Sequence, residues 1–161
     1  MIEVVVMASP LGNIRLVAED GFLLSSQFTE DVVSEGPKET FFTDVMEQLT
    51  AYFEGKLTVF DIPVGIGGTD FQKNVWMEVN QVPYGHTVSY HDIARALSKP
   101  TAVRAVGAAN AANPLLVIIP CHRVIARNGE LTGYAGGLWR KLKLLQMESR
   151  DKPGRQFDLG F

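Results

Sequence analysis

Cys121 is the chain's one cysteine, and His122 follows it directly. A thiol beside an imidazole is a pair that can do nucleophilic chemistry, because the base can take the thiol proton and leave a thiolate. A single cysteine forms neither an internal disulfide nor a multi-cysteine zinc site, so its use lies in packing or reactivity. The run Leu115–Ile119 before it is apolar and ends at Pro120. It reads as a buried strand or core segment that stops where proline cannot donate to a ladder. A cysteine there would sit on a rigid support with its sulfur facing a cleft. In a strand, adjacent side chains face opposite sides, so adjacency alone does not join Cys121 to His122, whereas a turn at Pro120 would.

The elements around this pair must bring further groups to it. Thr69 or Asp70 caps a predicted helix to about Val79. Ser89 caps a second, with Tyr90, Ile93, Ala94 and Leu97 on one face. Ser98-Lys99-Pro100 breaks that helix, and Thr101 is expected to cap another that runs to about Ala112 and ends at Asn113-Pro114. Two short helices and a tight turn read as a helix-turn-helix. The second of them is mostly small, with Ala102, Ala105, Gly107, Ala108, Ala109, Ala111 and Ala112, and has Arg104 as its only charge. A helix that reads the major groove carries several long polar side chains, and this one does not. The minor groove is about 6 Å wide and a dressed helix about 10–12 Å across, so a helix of small residues suits minor-groove docking. Arg104, Ala105, Gly107, Ser89, Thr101 and Tyr90 are the expected DNA-facing residues.

The first half reads as a scaffold. Ile2–Ala8, Ile14–Val17 and Phe22–Phe28 have strand character, with Glu19-Asp20-Gly21 as a turn. Phe41–Phe53 has helical spacing and a stop at Gly55. Ile62–Gly68, rich in proline and glycine, reads as a linker. Composition, 46% hydrophobic and 20% charged, is that of an ordinary globular chain, with no run long enough to span a membrane. One free cysteine and no targeting segment point to a reducing intracellular compartment, hence the cytoplasm, with use at the nucleoid. The net charge of -3 conceals an asymmetry: residues 1–87 hold 13 Asp and Glu against 4 Lys and Arg, and residues 88–155 hold 4 against 11. A basic C-terminal half suits a polyanionic partner.

Pro120-Cys121-His122-Arg123-Val124 resembles the active-site signature of the O6-alkylguanine-DNA alkyltransferases. Tyr84-Gly85, Val88-Ser89-Tyr90, Ala102–Gly107, Asn113-Pro114 and Gly133–Gly137 follow that family's order and spacing, over roughly Thr69 to Glu148. The first 65 residues share only its general character. The resemblance implies an α+β protein. Residues 1–66 would form a small ribonuclease H-like antiparallel sheet with a helix. Residues 67–161 would form a mostly helical, winged-helix-like domain with the helix-turn-helix. It implies flipping of O6-methylguanine, and also of O4-methylthymine, out of duplex DNA, and irreversible single-turnover transfer of the alkyl group to Cys121. No metal or other cofactor is expected, and the chain would act as a monomer, with cooperative assembly on DNA left open.

The family's roles map residue by residue. His122 is the base, and Glu148 orients it. Tyr90 presses on the backbone phosphate and donates to guanine N3. Backbone groups of Cys121 and Val124 face the exocyclic amine, and the Ala135 N–H faces O6. Tyr134 and Gly136 shape the wall, and Leu116 and Thr132 border the pocket. Asn113 braces the DNA-binding helix and the active-site segment, Arg123 is a structural ion-pair residue, and Arg104 fills the space of the extruded nucleotide. A non-catalytic lesion-binding relative is the main rival, and Cys121 argues against it. A transcriptional regulator and a cysteine hydrolase fit less well.

Overall fold

In a computed structural model of the chain, describing residues 1–34 and 40–149, the chain falls into two units, Met1–Ile66 and Gly67–Phe161. In the first, β1 (Ile2–Met7), β2 (Asn13–Glu19) and β3 (Phe22–Thr29) form an antiparallel meander in that order. Asp20 and Gly21 both take positive φ, which is the two-residue turn whose twist matches the strands it joins. Along β2, Ile14, Leu16 and Ala18 are buried while Arg15 is exposed, the alternation of a half-buried sheet. Helix α1 (Thr40–Phe53) adds Phe42, Val45, Leu49 and Tyr52 to this core. It ends as expected at Gly55 (φ 77°), with Lys56 N–H bonded to Ala51 O and Gly55 N–H to Tyr52 O.

The segment expected to be a linker is partly tied down. Leu23 N–H donates to Pro63 O and Gly65 N–H to Leu23 O, a short parallel bridge onto β3. A Cβ at Gly65 would lie 2.9 Å from Leu24 Cδ2 and 3.3 Å from Phe22 Cβ, so a larger residue would have to push those side chains aside.

The second unit is built on α2 (Asp70–Asn80), α3 (Tyr90–Ala96), α4 (Val103–Ala111) and α5 (Leu138–Glu148). Thr69 and Gln72 make a reciprocal capping box on α2, and Ser89 and Asp92 make one on α3. Trp76 Nε1 donates to Ala109 O at 2.8 Å and pins α2 to α4. Helix α4 departs from expectation at its start. Its N-cap is Ala102, with no side-chain cap, so Thr101 does not cap it.

The run Leu115–Ile119 is buried but is not a strand; it is a tight turn. Asn113 holds it: its Nδ2 donates to Leu115 O and Ile119 O, and its Oδ1 accepts from Leu115 N–H. Inside the turn Val117 takes φ 73°, a left-handed conformation that a β-branched residue rarely adopts. After Pro120 the chain makes a single 3-10 turn, Cys121–Arg123, and enters β5 (Val124–Ile125). This pairs in parallel with β4 (Val88–Ser89), with Val88 opposite Val124. That two-residue ladder sets the start of α3, and so Tyr90, beside the chain leaving Cys121.

Candidate active site

Burial is the first fact about the cysteine. Cys121 is a free thiol and 2% exposed. Burial pushes its pKa up to about 11, against the Asn113 amide and the Lys141 charge, which favour the thiolate. The resting site therefore stores a protonated thiol. From 9.0 to about 11 is a factor of about 100 in thiolate fraction. Iodoacetamide at pH 8 should thus modify Cys121 in the folded chain at least ~100-fold more slowly than in denaturant. Equal rates, read by mass spectrometry, would show an open, activated thiol instead.

The 3-10 turn directs His122 inward, where it is fully buried. Its Nε2 meets Glu148 Oε2 at 2.7 Å, and its Nδ1 is buried without a hydrogen-bond partner among the described residues. Burial holds the imidazole below its ordinary pKa despite the carboxylate beside it. Burial opposes ionisation of Glu148, but the contacts with His122 and Arg123 outweigh it and keep the carboxyl ionised, well below the usual carboxylate range. A neutral imidazole facing a carboxylate carries its proton on Nε2, so the basic lone pair is on Nδ1. Arg123 donates to Glu148 through Nε (2.7 Å) and Nη2 (3.0 Å), and through Nη1 to Val82 O (2.8 Å). It thus anchors the carboxylate that orients the histidine.

Tyr90 is half-buried, with its hydroxyl 3.1 Å from Thr132 Oγ1 and 3.3 Å from Thr132 O. Burial pushes the phenol up, so it keeps its proton. The ring of Tyr134 lies edge-on to His122 at 6.4 Å, and its hydroxyl is buried without a partner. Both phenols lie within electrostatic reach of Cys121. Leu116 is buried in the Asn113-held turn, and Gly136 O accepts from Arg140. Thr132 and Ala135 are exposed. On α4, Arg104, Ala105, Ala108 and Ala111 are exposed, as is the C-cap residue Ala112, while Val106, Ala109 and Asn110 face inward. Gly107 lies against the Tyr90 ring, where an added Cβ would sit 3.9 Å from it.

Two buried groups escaped the sequence reading. Lys141, fully buried, donates 2.7 Å bonds to Val124 O and Thr132 O, with its ammonium 5.9 Å from the Tyr90 ring centroid. Burial lowers its pKa to about 8, partly offset by Cys121. Asn110, 2% exposed, donates from Nδ2 to Cys121 O at 3.2 Å, and its Oδ1 is buried with no partner. The signal was present: Lys141 falls on the apolar face of α5 with Leu144, Leu145 and Glu148, and Asn110 on that of α4 with Val106 and Ala109. A polar residue on a buried helical face requires a partner. His91 is half-buried with its Nδ1 inside.

Comparison with known proteins follows this geometry. The family model for the DNA binding domain of 6-O-methylguanine DNA methyltransferase matches residues 70–150. The model for that family's ribonuclease-like domain matches residues 4–66, extending the likeness through the half whose motifs were weak. A methylated-DNA–protein-cysteine methyltransferase of Mycolicibacterium paratuberculosis is 42% identical over 160 residues, covering 95% of this chain and 96% of the relative. One from Methanosarcina barkeri is 43% identical over 152 residues, covering 91% and 96%. The crystal structure of Mycobacterium tuberculosis O6-methylguanine methyltransferase superposes with TM-score 0.85 at 40% identity, covering 96% of this chain and 97% of that one. The Mycobacterium tuberculosis OGT in complex with DNA superposes with TM-score 0.84 at 41% identity, covering 92% and 94%. With both domain models matched and relatives above 40% identity over nearly the whole chain, this protein belongs to the 6-O-methylguanine DNA methyltransferase family, the methylated-DNA–protein-cysteine methyltransferases.

Proposed function

We propose that the chain repairs DNA by drawing an O6-alkylated guanine out of the duplex and moving its alkyl group onto Cys121, once per molecule. The observation that carries this reading is the His122 imidazole, tied to Glu148 through Nε2 and left with a buried, unpaired Nδ1. The Cys121 proton passes to that nitrogen through a bridging water. The sulfur then attacks the alkyl carbon in line with O6. A C–S bond forms, the C–O6 bond breaks, and its electron pair enters the purine. Tyr90 gives its proton to N3, so guanine leaves neutral, and the proton held on His122 restores the phenol. Lys141 provides a buried positive charge that favours the thiolate while it exists. The product is a thioether. With no second cysteine to resolve it, the chain stops after one event.

The exposed face of α4 supports docking in the minor groove, because Ala105, Ala108 and Ala112 let the backbone approach and Arg104 projects alone. O4-methylthymine is a second substrate in this reading, and one copy of the chain suffices for one lesion. Among the described residues no helix is long and apolar enough to cross a membrane. We place its work in the reducing compartment that holds the DNA. Incubation with duplex carrying labelled O6-methylguanine is the test. The expected result is one label per protein, on Cys121; label released over many turnovers would rule out the single-use mechanism.

Arg104→Ala should slow repair in duplex DNA by about tenfold or more while changing the reaction with free O6-alkylguanine less than about twofold. Extrusion costs a few kcal/mol and is needed only in the duplex. Parallel rate measurements on the two substrates check this; equal losses would assign Arg104 to the pocket.

A further inference from the structure

We propose that Thr132 is a positioning residue for alkyl transfer, whose hydroxyl donates a hydrogen bond to the Tyr90 oxygen as the phenol gives its proton to guanine N3. The inference rests on the alkyl-transfer reading above and gives Thr132 a role beyond bordering the pocket.

A phenol has one proton to donate and an oxygen that also accepts. Tyr90 Oη lies 3.1 Å from Thr132 Oγ1 and 3.3 Å from Thr132 O. In the resting site either oxygen of Thr132 can take the phenol's proton. With the base in place that proton turns to N3, and Tyr90 Oη is left able only to accept. Thr132 O has no proton to offer, so the bond comes from the Oγ1 hydroxyl. As the C–O6 bond breaks, the Tyr90 proton moves to N3 and the electron pair of its O–H bond stays on Oη. A hydroxyl that donates to an oxygen gaining negative charge binds more strongly in the transition state than before it. Burial pushes the Tyr90 phenol up, and the Thr132 hydroxyl acts against that push. A general acid working near neutral pH needs a shift in that direction.

The fold holds this hydroxyl in place. Thr132 is exposed, yet Leu131 before it is buried, and Lys141 Nζ donates to both Thr132 O and Val124 O at 2.7 Å. Val124 lies opposite Val88 in the β4–β5 ladder, and Tyr90 opens α3 directly after β4. One ammonium thus fixes Thr132 to the ladder that sets Tyr90. That ammonium is 5.9 Å from the Tyr90 ring centroid, so a positive charge stands beside the phenol as it becomes negative.

The test is a cycle between protein and base. Single-turnover rates are measured for wild type, Thr132→Val and Thr132→Ser on duplexes carrying O6-methylguanine or O6-methyl-3-deazaguanine, the same base with C–H in place of N3. The valine variant keeps the shape of the residue and removes the hydroxyl. It is expected to lose about tenfold on O6-methylguanine and less than about twofold on the deaza base. Thr132→Ser keeps the hydroxyl and should stay within about threefold of wild type on O6-methylguanine. Equal losses for the valine variant on both bases would make Thr132 a wall of the pocket and nothing more. No loss on O6-methylguanine would mean that the phenol needs no donor, and a serine variant as slow as the valine one would assign the effect to the methyl group. Each of these overturns the inference, as does a wild type that reacts equally fast with both bases, because N3 then takes no proton. A wild type that leaves O6-methylguanine untouched would instead overturn alkyl transfer itself, and with it this contact.

Discussion

Cys121→Ser is expected to abolish alkyl transfer, by a factor on the order of 10⁴ or more, and to leave binding to lesion-bearing duplex within about twofold of wild type. The hydroxyl is smaller than the thiol and fits the same buried position, so packing by the Asn113-held turn is retained. What is lost is the nucleophile. A thiol whose pKa stands at about 11 still yields thiolate when a base takes its proton. A serine hydroxyl in the same apolar surroundings ionises far less, and its oxygen is a harder nucleophile toward an sp3 carbon. DNA affinity is expected to reside on α4, whose exposed residues Arg104, Ala105 and Ala108 do not include the cysteine. Label transfer and gel-shift titration on one preparation measure both properties. Transfer that persists in the serine variant, with an adduct on another side chain, would remove Cys121 from its role.

Glu148→Ala is expected to destabilise the fold by about 3–5 kcal/mol, a fall in melting temperature of about 10 °C or more. The reason is what stays behind. Arg123 is 6% exposed and loses its acceptors for Nε and Nη2, and His122 loses the acceptor for its Nε2 proton. A buried guanidinium with one remaining bond, to Val82 O, is an uncompensated charge. The tautomer of His122 is also released, so alkyl transfer should fall even at temperatures where the variant is folded.

The same network sets an acid limit. The folded Glu148 carboxyl is held below its unfolded value, near ~4.3, so its contribution is complete above that pH and disappears as pH falls through the folded value. His122 is held neutral by burial, and the unfolded chain takes up that proton first as pH falls through ~6.5. Wild-type melting temperature should therefore decline below about pH 6.5 and more steeply below about 4.3. Glu148→Ala should keep the first decline and lose much of the second. Parallel curves for the two proteins between pH 3 and 7 would show that other carboxylates govern acid unfolding.

Much of this protein was legible in one dimension because its signals are local. Thr69 with Gln72 and Ser89 with Asp92 are three residues apart, so a capping box can be read from spacing alone. Asp20-Gly21 marks a hairpin because both residues tolerate positive φ. The Pro120–Val124 motif pointed to the family for the same reason, being contiguous. Leu115–Ile119 misled because apolar content reports burial and not backbone shape. Short-range bonds from the Asn113 side chain to Leu115 and Ile119 turn that run back on itself and hold Val117 in a conformation its own propensity opposes.

Only the folded chain decided the electrostatics. The sequence places His122 and Glu148 26 residues apart, and the packing of α5 on the 3-10 turn makes them a 2.7 Å pair. Adjacency alone left open whether His122 meets Cys121, and in the fold burial leaves the resting thiol protonated and gives the imidazole's bonded nitrogen to the carboxylate. Lys141 and Asn110 gain meaning only from what lies opposite them, the carbonyls of Val124 and Thr132 for the lysine and that of Cys121 for the amide. Residue type and spacing determine which groups a chain can present. The desolvation and pairing that set their charge depend on neighbours distant in sequence, and these exist only once the chain has closed around them.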